Sequence, residues 1–582
     1  PEKVTRRRLS ACSACIGSVA QGAGAQGASK EATKDVANWR TFPPDFVWGV
    51  ATAAFQIEGS AESRGASIWD TFSHIPGNIY EGATADTACD HIRRYKEDVQ
   101  LIKRLGAKAY RFSISWSRVL PAGTTSAGIS EEGLAFYVAL CQELLANGIE
   151  PVATLYHWDL PQTLEDEGGW LNPKTVDAFR AYAELCFSRL GSYVKTWCTI
   201  NEPWTQCILG YCFGSHAPGR SIAPGEEPYL AAHHMLLAHA AAAESYRAVK
   251  PSDGRLAMVL NTEWPEAQEP ANPRDVEAVE RFLAFNIDWF AHPLYEGGYP
   301  EQLVSRVGER LPKFTEAEEK ALKGSNDFFA LNCYSSRYIC EDTPWRKLRN
   351  FQATLRILPF ISDVPLARMK AAIAAQENTS ASREPHAAEE RNSAGSVSAG
   401  GPASPSADAL PRNSWILDAA YETAVPLDAD LTATGWPVAH FGLGRLLLYI
   451  QRKYQPPGGI LVTEAGAAFK ETPTTDPSAD ARQSAYLNGQ TVVLRRAMQE
   501  GADVRGYFWW TLMDNFEWSY GYSKRFGLYA VDFAGSVERT ARPAAETFQE
   551  LTASNSVQTS VSDAAYANCL NRADGLQFTN LS

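Results

Sequence analysis

Thr196-Trp197-Cys198-Thr199-Ile200-Asn201-Glu202-Pro203 is the stretch from which the fold is read. An apolar and β-branched run ends in an amide, a carboxyl and a proline. A short run with no polar alternation suits a strand buried on both faces. Seven more runs of this kind flank it. Residues 46–52, 109–115 and 151–157 come before it, and 255–261, 327–334, 459–464 and 504–512 after it. Amphipathic helical patterns fall between them, at 95–105, 133–147 and 173–190 among others. Strands alternating with helices imply a parallel sheet, and eight such units predict a single (β/α)8 TIM barrel over residues 39–552. An open doubly wound α/β sheet is the alternative.

In such barrels the chemistry gathers at the C-terminal ends of the strands. Here those ends are expected to carry Arg111, His157, Asn201, Glu202, Asn332, Tyr334, Glu464 and Glu517. Two carboxyls across one mouth, Glu202 and Glu464, are the equipment for breaking a glycosidic bond. One protonates the leaving oxygen and the other stabilises an oxocarbenium-like centre. Either carboxyl alone reads equally well as an ordinary strand-to-turn junction. Trp158, Trp436, Trp509, Trp510 and Trp518 lie near strand ends, where indole faces match the C–H faces of sugar rings. Adjacent strand residues face opposite ways, so one of Trp509 and Trp510 is expected to be core.

The rest of the chain narrows the alternatives. With 54 basic and 67 acidic residues the net charge is -13, a poor match to nucleic acid or to an anionic membrane surface. No run of 18 apolar residues suggests a membrane span. The eleven Cys are scattered, and most fall in apolar segments as buried thiols; Cys207 and Cys212 are close enough in sequence to pair. Cys12 and Cys15 form a lone Cys-x-x-Cys without a second motif. His234 and His239 share a helix face and read as packed or solvent-facing, so neither a metal nor an organic cofactor is expected.

Three segments carry no core pattern. Residues 1–38 place Arg6, Arg7 and Arg8 before a weakly apolar run, which reads as a secretory or organellar (plastid-like) targeting remnant or as a solvated tail. Residues 376–412 are rich in Ser, Ala, Pro and Glu and read as a disordered insertion after the sixth strand. Residues 553–582 read as a loose polar tail.

Taken together, the segments resemble glycoside hydrolase family 1, the β-glucosidase family, over about residues 40 to 550. The resemblance rests on Phe46-Val-Trp-Gly-Val-Ala-Thr-Ala-Ala-Phe-Gln56-Ile-Glu-Gly, Tyr110-Arg111-Phe-Ser-Ile-Ser-Trp-Ser-Arg118 and Leu155-Tyr-His157-Trp158-Asp-Leu-Pro-Gln. Thr199-Ile-Asn201-Glu202-Pro203, Asn332-Cys-Tyr334, Gly435-Trp436-Pro437, Trp510-Thr-Leu-Met-Asp-Asn-Phe-Glu517-Trp518 and Arg525-Phe526-Gly-Leu complete it. The resemblance implies a retaining β-glycosidase that releases a terminal non-reducing glucose, galactose or fucose. It makes Glu202 the general acid/base and Glu464 the nucleophile. It gives Gln56, His157, Asn201, Glu517 and Trp518 to the sugar hydroxyls and Trp510 to the platform under the ring, with Trp158 beside them. Arg111 and Tyr334 would orient the nucleophile, and Asn332 and Phe526 would line the pocket. Two features depart from the pattern. Ala465 follows the nucleophile where the family usually has Asn, and the 376–412 insertion falls near the expected aglycone side. Transglycosylation by the same residues, or a catalytically weak sugar-binding relative, are the competing readings.

Overall fold

The computed structural model describes residues 39–251, 253–343, 414–426, 429–469, 477–558 and 562–571. The targeting segment, the Cys12–Cys15 pair and the 376–412 insertion lie outside the described residues. Contacts divide the chain into Pro1–Thr41 and Phe42–Ser582. In the first unit the described residues are Trp39, Arg40 and Thr41, with the Arg40 guanidinium over the Trp39 ring. The other described residues belong to the second.

Eight strands close a parallel barrel: β1 (Val47–Ala51), β2 (Ala109–Ser113), β3 (Glu150–Tyr156), β4 (Thr196–Asn201), β5 (Arg255–Asn261), β6 (Phe329–Asn332), β7 (Ile460–Ala465) and β8 (Val504–Trp510). Around the barrel the order is sequential, with β1 paired to both β2 and β8. The expected runs and the observed strands coincide, because strands covered by helices outside and side chains inside must be apolar on both faces. The interior is filled by Val152, Cys198, Ala257, Val259, Leu461 and Phe508, among others. Gly49 makes room for Phe508, since a Cβ there would come within 2.4 Å of its ring. Of the two adjacent indoles, Trp510 joins this interior cluster, whereas Trp509 meets Tyr486 of the helix Pro477–Gln499.

Helix α1 (His91–Arg104) buries Val99, Leu101 and Ile102 on one face. Helix α2 (Glu131–Ala146) starts at Ser130, whose hydroxyl accepts from the Gly133 amide. A small sheet joins Trp264–Ala267, Ser336–Glu341 and Tyr421–Ala424. Its antiparallel pair sets Glu341 opposite Tyr421. The strands Ser336–Glu341 and Tyr421–Ala424, which flank residues 344–413 in sequence, are therefore neighbours in one sheet.

Several expectations need correction. β2 ends at Ser113, so Arg111 sits in mid-strand rather than at a strand end. β8 ends at Trp510, so Glu517 lies in the following loop, which turns back through a hydrogen bond donated by the Glu517 backbone N–H to the Gly521 carbonyl. Cys207 and Cys212 are unpaired thiols. The Cys207 sulfur faces Met235 at 3.9 Å and the Cys212 thiol faces the Pro224 carbonyl at 3.6 Å. Within the segment read as a loose tail, Asp563–Asn568 is helical, Tyr566 is buried, and the Leu570 carbonyl accepts from Arg445 Nε at 2.8 Å. A few apolar side chains suffice to seat an otherwise polar stretch. His234 and His239 are both packed: His234 Nδ1 lies 2.8 Å from the Trp170 carbonyl, and His239 lies between Thr199 and Ser325. Among the described residues no helix is long and apolar enough to cross a membrane.

Candidate active site

The two strands that carry the candidate carboxyls are irregular just before them. Pairing of β4 with β5 shifts register between Cys198 and Asn201, and pairing of β7 with β6 shifts between Val462 and Glu464. Such bulges re-aim the next side chain. Glu202 then adopts a left-handed conformation (φ 46°) and hands over to Pro203, which starts the short helix Pro203–Thr205. Trp158 (φ 76°) and Trp518 (φ 51°) share this uncommon backbone. A non-glycine residue held there costs of order 1–3 kcal/mol, and such residues cluster where a side chain must be aimed. Here three of them meet at one pocket.

Glu464 is buried and held by two donors. The Arg111 guanidinium bonds one carboxylate oxygen as an ion pair, and the Tyr334 hydroxyl donates to the other at 2.5 Å. Arg111 is fully buried and also donates to Asn201 Oδ1 (2.7 Å) and Thr154 Oγ1 (3.1 Å). Its place in mid-strand lets the long side chain reach up the barrel interior to the carboxylate.

Glu202 is held differently. Asn332 Nδ2 donates to one oxygen at 2.8 Å and the Thr205 hydroxyl to the other at 2.9 Å, both neutral groups. Burial raises its carboxyl to a pKa of about 8, with the charge of Glu464 a second cause in the same direction. Asn332 joins the two halves of the site. It pairs in register with Glu464, donates to Glu202, donates to Asn201 Oδ1 at 3.1 Å and accepts from Thr463 at 2.8 Å.

A binding wall stands beside the carboxyls. The His157 ring lies nearly parallel to those of Trp510 and Trp518, at 5.8 and 5.9 Å. Trp518 packs on Trp158 at 4.6 Å, and Trp158 Nε1 donates to the Asn201 carbonyl at 2.8 Å. Phe526 closes another side against Tyr334 and Trp436. Asn201 Nδ2 lies 3.1 Å from His157 Nε2, which assigns the ring proton to Nδ1. Burial, and secondarily Arg111, lower the His157 pKa, so the ring is neutral. Gln56 Nε2 donates to Asn515, Phe516 and, at 3.3 Å, Glu517.

Two buried polar atoms on this wall, His157 Nδ1 and Gln56 Oε1, have no hydrogen-bond partner among the described residues. One donates and the other accepts, the pair of functions a hydroxyl group satisfies. Glu517 is raised to a pKa of about 8 by burial, then by Glu464.

The residues to which the resemblance gives site roles thus fall in one connected group, whereas Trp509 packs outside it against Tyr486. Sequence reasoning missed Thr205, which steadies Glu202, and Thr154, which steadies Arg111. Thr205 had a visible signal, since it lies three residues beyond Glu202 where a helix begins. Thr154 had none that sets it apart from other strand threonines.

The family model Glycosyl hydrolase family 1 matches residues 38–557. Beta-glucosidase 31 of Arabidopsis thaliana is 37% identical over 90% of this chain and 91% of its own. Raucaffricine-O-beta-D-glucosidase of Rauvolfia serpentina is 38% identical over 87% and 89%. The crystal structure of the rice Os3BGlu6 beta-glucosidase superposes with a TM-score of 0.74 at 35% identity, covering 88% of this chain and 99% of that one.

Proposed function

Because the chain belongs to glycosyl hydrolase family 1 and is an O-glycosyl hydrolase, we propose that it releases terminal β-linked glucose by double displacement at Glu464 and Glu202. The observation that carries this is the unequal treatment of two buried carboxyls. Glu464 is ion-paired to Arg111, whereas Glu202 has only neutral donors and a raised pKa. Environments that separate two carboxyls in this way assign the acid and the nucleophile.

In the first step a Glu464 oxygen forms a bond to the anomeric carbon. The bond from that carbon to the aglycone oxygen breaks, and Glu202 gives its proton to the departing oxygen. In the second step water attacks the same carbon, its proton passes to Glu202, and the ester bond to Glu464 breaks. Loss of the Glu464 charge in the ester removes one of the two causes that raise Glu202, so the same group turns from acid to base.

Glucose as the sugar is supported by the names of the relatives, and a hydroxyl-bearing ring by the unpartnered His157 and Gln56 atoms. A panel of aryl glycosides tests it. The β-glucoside is expected to give the highest kcat/KM, the β-galactoside and β-fucoside lower values, and the α-glucoside none. A preference for galactoside, or cleavage of the α-glucoside, would refute the reading.

The pH profile of kcat/KM should be bell-shaped, since one carboxyl must be charged and the other protonated. Glu202 is an acid with a raised pKa, so its protonated form persists up to about pH 8 and the rate is lost above it. Glu202→Gln should remove that basic limb. A wild-type rate that stays level through pH 9 would exclude Glu202 as the proton donor, pH 9 being about one unit past that value.

Gly466 lies just beyond the end of the nucleophile strand and tests how closely the site is built. A Cβ there would lie 1.9 Å from the Trp510 carbonyl oxygen, and backbone cannot yield as a side-chain tip does. Gly466→Ala should lower Tm through overpacking of about 1–3 kcal/mol. Moving Glu464 or Trp510 by about 1 Å should also cost roughly 100-fold in kcat/KM. Thermal denaturation and aryl β-glucoside kinetics read both.

A further inference from the structure

Beyond the catalytic pocket, a cavity of about 380 Å³ opens between the first turns of α1 and α2. Its lining includes Ser60, Ile92, Arg93, Arg118, Glu132 and Phe136. None of these residues belongs to the catalytic group. We propose that this cavity is a second binding site, for a neutral polyol the size of one monosaccharide.

The first reason is an unmatched hydroxyl. Ser60 is only 4% exposed, and its Oγ has no hydrogen-bond partner among the described residues. A buried hydroxyl without a partner is destabilising, and a hydroxyl of a ligand would offset that cost.

The second reason is the charge balance. Arg118 spends its guanidinium on Glu58 Oε2 (2.8 Å), Ser63 Oγ (2.8 Å) and the Gly59 carbonyl (3.0 Å). Arg93 is paired with Asp90 and Glu62. Both cations are therefore matched by carboxylates, and the Glu132 carboxylate stands at the wall. An anion would meet that carboxylate without gaining an unmatched cation, and a cation would meet two guanidinium groups. A neutral ligand meets neither penalty.

The third reason is shape and polarity. Ile92 and Phe136 are half-buried and give the lining apolar surface for C–H groups, alongside the Ser60 hydroxyl and the Glu132 carboxylate. The volume is near the lower end of the ~300–1,000 Å³ typical of ligand pockets, which suits one ring rather than a chain of rings.

The probe is methyl α-D-glucopyranoside, whose α linkage the proposed hydrolysis does not cleave, followed by saturation-transfer NMR on the full chain. Saturable binding is expected. Ser60→Gly removes the hydroxyl and suits the left-handed backbone at that position (φ 50°), so it should weaken binding about five-fold, the value of one hydrogen bond. Ile92→Trp should fill the cavity and abolish binding there. Aryl β-glucoside turnover should be unchanged in both variants, which shows that they fold. Absence of saturable binding, binding that neither variant alters, or binding of inorganic phosphate in place of the sugar would each overturn the proposal.

Discussion

Glu464→Ala is expected to abolish turnover of every β-glycoside, a loss of roughly 10⁵-fold, because the group that forms the covalent bond is gone. Good and poor leaving groups should suffer alike, since the bond lost is to the sugar and not to the aglycone. The substitution also leaves Arg111 buried without its counter-ion, a change that costs about 3–5 kcal/mol and should show as a lower Tm. Azide separates the chemical from the structural effect. As a small anion it fits the space left by the carboxylate, offsets the Arg111 charge, and attacks the anomeric carbon from the face that Glu464 used. One displacement in place of two inverts the centre, so the product should be the α-glycosyl azide. A folded variant that yields the β-azide would place the nucleophile elsewhere.

That experiment tests an assignment much of which was legible in the chain. Strands buried on both faces must be apolar throughout, so eight short runs marked the barrel, and the polar residues that interrupt or follow them marked the mouth. What the runs did not show was depth. Arg111 was expected at a rim and lies in mid-strand, where only a side chain of its length reaches Glu464. Glu517 was expected at a strand end and lies in a loop that folds back onto Gln56. The left-handed backbones at Trp158, Glu202 and Trp518 left no mark in composition, because tertiary packing and not local preference holds them. Nor did residue order reveal the leading cause of the raised Glu202 pKa. Burial is the larger cause and the charge of Glu464 the second. Ala465 is itself buried in β7 beside Trp509, so the departure from the usual amide falls at a packed position.

Glu202→Ala should give the opposite kinetic signature, because this residue acts on the aglycone and on water rather than on the sugar. A proton donor contributes roughly 10²–10⁴-fold, and only to the extent that the leaving group needs the proton. Alkyl glucosides should therefore lose most of their turnover, and nitrophenyl glucosides less. A dinitrophenyl glucoside should still form the ester at Glu464, visible as a burst of phenol followed by slow turnover, since no base remains to activate water. The vacated space lies between Asn332 Nδ2 and the Thr205 hydroxyl, two neutral donors suited to an anion. Azide bound there needs no base, so it should restore the second step and give the β-glycosyl azide with configuration retained. The same anion thus yields opposite anomers from the two variants, each reporting the face of the sugar from which a carboxyl was removed. An α-azide from Glu202→Ala, or an equal loss for alkyl and dinitrophenyl substrates, would overturn the division of roles.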